Sequence, residues 1–276
     1  MLQYIGKFVC LDLETTGLDS EKDDIIEIAA VKYNKGRKEG EFHTLINPQR
    51  KLPFIAHAIT HISDEDLAGA PLFGDVLSDL KEFIADYPIL GQNIAFDIQF
   101  LRAKGIPVKN TPFDTRILAA MVLPRVPALN LEALALYFRF PYENAHRALA
   151  DVYMTINVFD RLYQRLCAVP GEFFADIERL MKDKSWQFSE VFTRAAKKAT
   201  ARKSHPAQTI FPLNSKKNPQ FFEKNSEVVG RIKELLEQHS VGKAVPIDAS
   251  PFRHDEWSLV EGVRVNNKKK KSLVVL

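Results

Sequence analysis

The chain has 276 residues, of which 46% are hydrophobic, and 38 Lys+Arg against 35 Asp+Glu leave a formal net charge of +3. That is enough apolar material for a full α/β core plus a smaller module. Two cysteines, Cys10 and Cys167, exclude a disulfide framework, and no apolar run reaches the roughly 18 residues of a membrane span. A cytoplasmic protein without membrane contact is therefore expected. The N-terminus enters a strand almost at once, which predicts no signal peptide.

In chain order, three strand-like runs come first, at about 7–13, 25–33 and 41–47. A loop and a helix near 75–86 follow, then a short strand from Pro88 to Leu90 that runs into Gly91, then a helix at 94–104. Helical patterns recur at 115–123, 130–138 and 147–166. Three consecutive strands followed by alternating helices suit an α/β fold with a ribonuclease-H-like mixed sheet of five strands flanked by helices. Charge then changes along the chain. Residues 1–165 carry 18 Lys+Arg against 22 Asp+Glu, and the remainder carry 20 against 13, a basic C-terminal extension suited to a polyanion. Its expected parts are a helical extension at 168–198, a basic linker at 199–220 and a small C-terminal region at 221–276, which carries the Lys268–Lys271 run just before its last five residues.

Chemistry is concentrated at three places. Phe8-Val9-Cys10-Leu11-Asp12-Leu13-Glu14 reads as a buried strand broken by Gly17, and residues two apart on a strand share a face. Asp12 and Glu14 therefore aim their carboxylates together, which is costly unless a divalent cation lies between them. Hard oxygen donors of this kind suit Mg²⁺ or Mn²⁺. Asp97 lies within the apolar stripe of Ile94, Ile98 and Leu101, and Asp151 begins an amphipathic helix with Val152, Ile156, Phe159 and Leu162. His146 precedes Asp151 by five residues, near enough to reach the same place from a loop or first turn.

Together these segments resemble the three motifs of the DEDDh, or DnaQ-like, 3′→5′ exonucleases, the family of the epsilon proofreading subunit of bacterial DNA polymerase III. The resemblance covers roughly residues 5 to 166, so that 1–167 is expected to be the exonuclease domain; Gln92, where many members carry histidine, departs from it. It implies that Asp12, Glu14, Asp97 and Asp151 are the metal-binding carboxylates and that His146 marks the histidine subclass. Two ions about 4 Å apart would hold the scissile phosphate, activate water and offset charge on the departing 3′ oxygen. An imidazole is suited to accept the proton at neutral pH, which makes His146 the expected general base. Substrate contacts implied by the resemblance are Thr15, Thr16 and Leu18 after the first pair, Asn93 and Phe96 in the second motif, and His57 and Ile59 at the cleft. Leu18 would wedge against the last base.

The expected function is metal-dependent release of mononucleotides from single-stranded or frayed DNA 3′ ends, in proofreading. The alternatives are a free-standing repair or RNA-trimming exonuclease, and a non-catalytic polymerase scaffold. Gln208-Thr209-Ile210-Phe211 loosely resembles peptides that dock in sliding clamps, which makes Gln208 and Phe211 candidate clamp contacts beside a replicative polymerase partner.

Overall fold

The computed structural model describes residues 6–123, 126, 128–142, 145–169, 174–175, 177–179 and 188–201, and three short strands between 257 and 275. The central sheet has five strands in the order β3-β2-β1-β4-β5: β1 (Lys7–Thr15), β2 (Ile25–Asn34), β3 (Arg37–Leu45), β4 (Ile89–Gly91) and β5 (Pro112–Asp114). The first three are antiparallel neighbours, whereas β4 and β5 run parallel to β1, which makes the sheet mixed as expected.

β2 and β3 are joined by Lys35 and Gly36, both at positive φ (48° and 81°), a two-residue turn whose twist matches that of paired strands. This turn starts β3 at Arg37 rather than near 41. The helices are α1 (Phe54–Thr60), α2 (Asp64–Leu67), α3 (Phe73–Ile84), α4 (Ala95–Ala103), α5 (Thr115–Val122), α6 (Leu131–Phe138), α7 (Ala148–Leu166) and α8 (Ser189–Ala201). α8 continues three residues into the stretch expected to be linker. The expected fifth strand, whose position the sequence did not give, is β5 at Pro112–Asp114, and α1 and α2 fall where only a loop was expected.

Two cores lie on opposite faces of the sheet. Phe8 and Cys10 of β1, with Ala29 and Val31 of β2, pack under α5, α6 and α7, and Phe188 just ahead of α8 joins them with Val191, Phe192 and Ala195 of that helix. Val9, Leu11 and Leu13, with Ile28 and Ala30, pack against Leu80 and Ile84 of α3 and Ile98, Phe100 and Leu101 of α4. This alternation is the period-two rule of strands, and it decides which side each β1 side chain serves. Separately, β6 (Trp257–Val260), β7 (Val263–Asn266) and β8 (Leu273–Val275) pair antiparallel in a second sheet. Gln208, Phe211 and the Lys268–Lys271 run lie outside the described residues. Among the described residues, no helix is long and apolar enough to cross a membrane.

Candidate metal centre

Asp12 and Glu14 continue the Phe8–Cys10 series along β1, so they lie on the face covered by α7. Cys10 already touches that helix, its thiol donating to the Val152 carbonyl at 3.6 Å. Asp151, in the first turn of α7, stands at the same end. Each of Asp12, Glu14 and Asp151 offers a carboxylate oxygen within 4.8 Å of the others. Across the β1–β2 ladder, Asp12 faces the small Ala29 and Glu14 faces Glu27.

Asp97 arrives from another side. The Val9 N–H donates to Pro88 ahead of β4 at 2.9 Å, and the Leu13 N–H, four residues on, points the same way. By then β4 has ended at Gly91, and Asp97 Oδ1 accepts the Leu13 N–H instead, at 3.0 Å. Asp97 is buried at the start of α4 and outside the close trio, yet it is the strongest neighbouring charge felt by Asp12.

The electrostatics of this cluster are those of buried carboxylates crowded beyond what Arg147 and His146 offset. Burial pushes Asp12 well above the usual carboxylate range, and Asp97, Asp151 and Glu14 push it further. Glu14 is raised to about 8 by burial, then by Asp151, Glu27 and Asp97, with Arg147 opposing. Asp151 is raised to about 6 by burial, against a hydrogen bond from Tyr142 Oη at 2.6 Å and the pull of His146. Asp97 is also raised, burial outweighing the backbone N–H groups that it accepts. A divalent cation would relieve all of these strains, and an all-oxygen donor set fits a hard ion. Ligands must be ionised to bind it. Mn²⁺ affinity, measured by calorimetric titration, is therefore expected to climb roughly tenfold or more between pH 6 and 8, the window set by Asp151 and Glu14. A flat affinity across that window would contradict the electrostatic account.

The remaining candidate residues are spread around this centre. His146 has φ 62° and a half-exposed ring whose Nε2 lies 3.4 Å from Glu132 of α6. Leu18 is 87% exposed and Ile59 43% exposed. Thr15 Oγ1 donates to the Gly17 carbonyl at 2.6 Å. Thr16 is buried, its hydroxyl held among Asp23, the Asp24 N–H and Arg50. A Cβ at Gly17 would run into the Asp23 carboxylate, which the Asp19 N–H and Arg50 hold in place. His57 Nδ1 is bonded to the Ile62 carbonyl at 2.8 Å, which ties α1 to the loop after it. Asn93 takes φ 56° in the turn after β4, where its N–H donates to Asp114. Phe96 lies tilted against Phe100, ring centroids 4.8 Å apart, and packs against the α4-side core. Gln92 is absorbed structurally, donating to the Leu129 carbonyl at 2.6 Å and touching the Thr115 hydroxyl.

Four residues at or beside the centre escaped the sequence reading: Glu27, Arg147, Tyr142 and Asp114. Glu27 carried a visible signal, one charge within the apolar run Ile25–Val31. Tyr142 follows Phe140 and Pro141 and Arg147 follows His146, and no periodicity in that short segment marks either of them.

Comparison with known proteins agrees with this architecture. Residues 9–159 match the exonuclease family RNase T. DNA polymerase III subunit epsilon of Aquifex aeolicus is 32% identical over 166 residues, which cover 58% of this chain and 82% of that protein. The PolC-type DNA polymerase III of Caldanaerobacter subterraneus subsp. tengcongensis is 30% identical over 183 residues; the match takes in 65% of this chain but spans only 13% of the polymerase. The fold is shared with E. coli exonuclease I, solved as a zinc-bound complex with single-stranded DNA, at a TM-score of 0.52 and 20% identity over 65% of this chain and 45% of that one. A match over more than half of the chain, with an epsilon relative spanned over most of its length, places the protein: it belongs to the exonuclease family, among the DnaQ-like 3′→5′ exonucleases.

Proposed function

We propose that the protein trims DNA from its 3′ end, releasing nucleoside monophosphates, and that it serves proofreading during replication. The observation that carries this reading is the meeting of Asp12, Glu14 and Asp151 within 4.8 Å on the α7 face of β1, with a half-exposed histidine on the segment that leads into α7. Two Mg²⁺ or Mn²⁺ ions, when bound, would supply water activation and neutralise charge on the phosphate. Asp12, Glu14 and Asp151 would hold them, with Asp97 as the fourth carboxylate. The Leu13 N–H fixes the Asp97 carboxylate in one orientation, and the Tyr142 hydroxyl does the same for Asp151.

His146 would take the proton from the attacking water. Its ring is exposed enough to turn from Glu132 without breaking a buried contact. Leu18, on the surface just beyond the carboxylates, suits apolar contact with a terminal base whatever its identity. Thr15, His57, Ile59, Asn93 and Phe96 remain proposed lining for the same cleft, while the Thr16 hydroxyl is already committed to the loop around Asp23. The epsilon relative supports a replicative polymerase as partner; the clamp contact assigned to Gln208 and Phe211 rests on sequence alone.

The test is digestion of single-stranded DNA, matched and mismatched primer–templates and single-stranded RNA, with Mn²⁺. Metal-dependent loss of 3′ mononucleotides, faster on DNA and on frayed mismatched ends, is the expected result. Preference for short RNA would move the protein to RNA turnover, and failure to favour mismatched over matched ends would remove proofreading.

A further inference from the structure

Glu27 has no role in the chemistry above, yet its carboxylate is fully buried and gripped from three elements. Arg147 donates through Nε at 3.1 Å and Nη2 at 3.0 Å. The Ala148 N–H, first of α7, donates at 3.1 Å, and His43 Nε2 of β3 lies at 2.8 Å. Burial alone would push this acid up; the hydrogen bonds from Arg147, His43 and Ala148 outweigh it and hold Glu27 below its ordinary value. An ionised carboxylate with a two-pronged arginine partner is thus built between β2 and the start of α7. Arg147, the residue ahead of the helix, makes no side-chain cap, so Glu27 supplies the oxygen that the helix start lacks.

What this anchor controls follows from what else is fixed. Asp151 sits on a 19-residue helix held by Val152, Phe159, Leu162 and Leu166, so packing sets its place without help. His146 has no such packing; its main-chain N–H donates to the Asp151 carboxylate, while its ring lies at Glu132. It lies outside the helix at positive φ, with a half-exposed ring against a half-exposed Glu132, and the residue after it is Arg147. We propose that Glu27 and Arg147 are a positioning pair that fixes the main chain at His146, so that its imidazole, resting on Glu132, can turn onto the carboxylate trio. This rests on the reading of His146 as the proton acceptor.

The test uses the full chain carrying Glu27→Gln, and separately Arg147→Lys, which keeps the charge but loses the two-pronged geometry. Four quantities are read: kcat and KM on an oligonucleotide, Mn²⁺ affinity by calorimetry, the melting temperature, and the His146 imidazole NMR resonance, assigned by its loss in His146→Ala. Expected for both variants are a kcat loss of about 10–100-fold, unchanged KM, a Mn²⁺ affinity that does not fall, since Glu27 only opposes ionisation of Glu14, and a displaced or broadened His146 resonance. In a His146→Ala background, Glu27→Gln should cost nothing further, because the two act as one unit.

Normal kcat in either variant would overturn the pair, as would a loss that persists undiminished in the His146→Ala background. Mn²⁺ affinity falling in step with kcat would assign Glu27 to Asp151 instead. A lowered melting temperature with an unmoved His146 resonance would make the role merely structural. If Glu27→Gln does not fold, Arg147→Lys decides the same question. Full turnover in His146→Ala alone would sink the general-base reading, and the resonance would still report whether Glu27 positions the ring.

Discussion

Asp12→Asn should abolish turnover and yet make the metal-free protein melt higher than its parent at pH 8. The two effects share one cause. Asp12 is forced up by burial and then by Asp97, Asp151 and Glu14, so its ionised form is unwelcome in the fold unless a cation is present. For a carboxylate with a raised folded-state pKa, stability is fully present below the unfolded value near 4 and is lost as pH climbs through the folded value. At pH 8 the metal-free parent carries that cost, and an amide of the same shape does not. At pH 5 the difference should shrink. Added Mn²⁺ should reverse the order, since a ligand at 100 times its Kd stabilises by about 2.7 kcal/mol and the variant has lost a ligand. Activity should fall beyond the roughly 100-fold that follows loss of a residue merely supporting a metal ligand. Thermal melts at pH 5 and 8, with and without Mn²⁺, beside oligonucleotide digestion, check all of this. A variant that melts below the parent at pH 8 without metal would show that Asp12 stabilises the fold by its charge.

How much of this could be read from sequence depends on the range of the contacts involved. Asp12 and Glu14 were legible because strand periodicity alone puts them on one face, and the apolar stretch Phe8–Leu11 shows that this face is interior. Asp151 was legible because α7 repeats its apolar stripe through Val152, Phe159 and Leu162. Neither periodicity said that the two faces meet; the shared core under α7 makes them meet. β5 has three residues, too few for any period, and its main service is Asp114, which accepts the N–H groups of Asn93, Ile94 and Arg116. α2 has four residues, and its Ser63–Asp66 capping box was the one local sign of it. Glu27 and Arg147 are 120 positions apart, and no spacing rule joins them. A lone acid in the run Ile25–Val31 was nonetheless the same anomaly that singled out Asp97, and it pointed to a buried partner rather than to metal.

The second large effect belongs to His146. Replacement by alanine should lower turnover by about 10²–10⁴-fold, the usual share of a positioned proton acceptor, while Mn²⁺ and oligonucleotide binding persist. The division follows from where the residue stands. Its side chain is half exposed and contacts Glu132, not the carboxylate trio, so removing it takes nothing from Asp12, Glu14 or Asp151 as ligands. It does withdraw a positive influence from Asp151, whose pKa the imidazole helps to hold down. A slightly weaker hold on Mn²⁺ near pH 6 is therefore expected, fading by pH 8, where Asp151 is ionised in either protein. Pre-steady-state digestion with Mn²⁺ at both pH values, beside calorimetric metal titration, separates the outcomes. Loss of metal binding at pH 8 would mean that His146 shapes the centre rather than serving the reaction, and near-normal turnover would leave the proton to solvent.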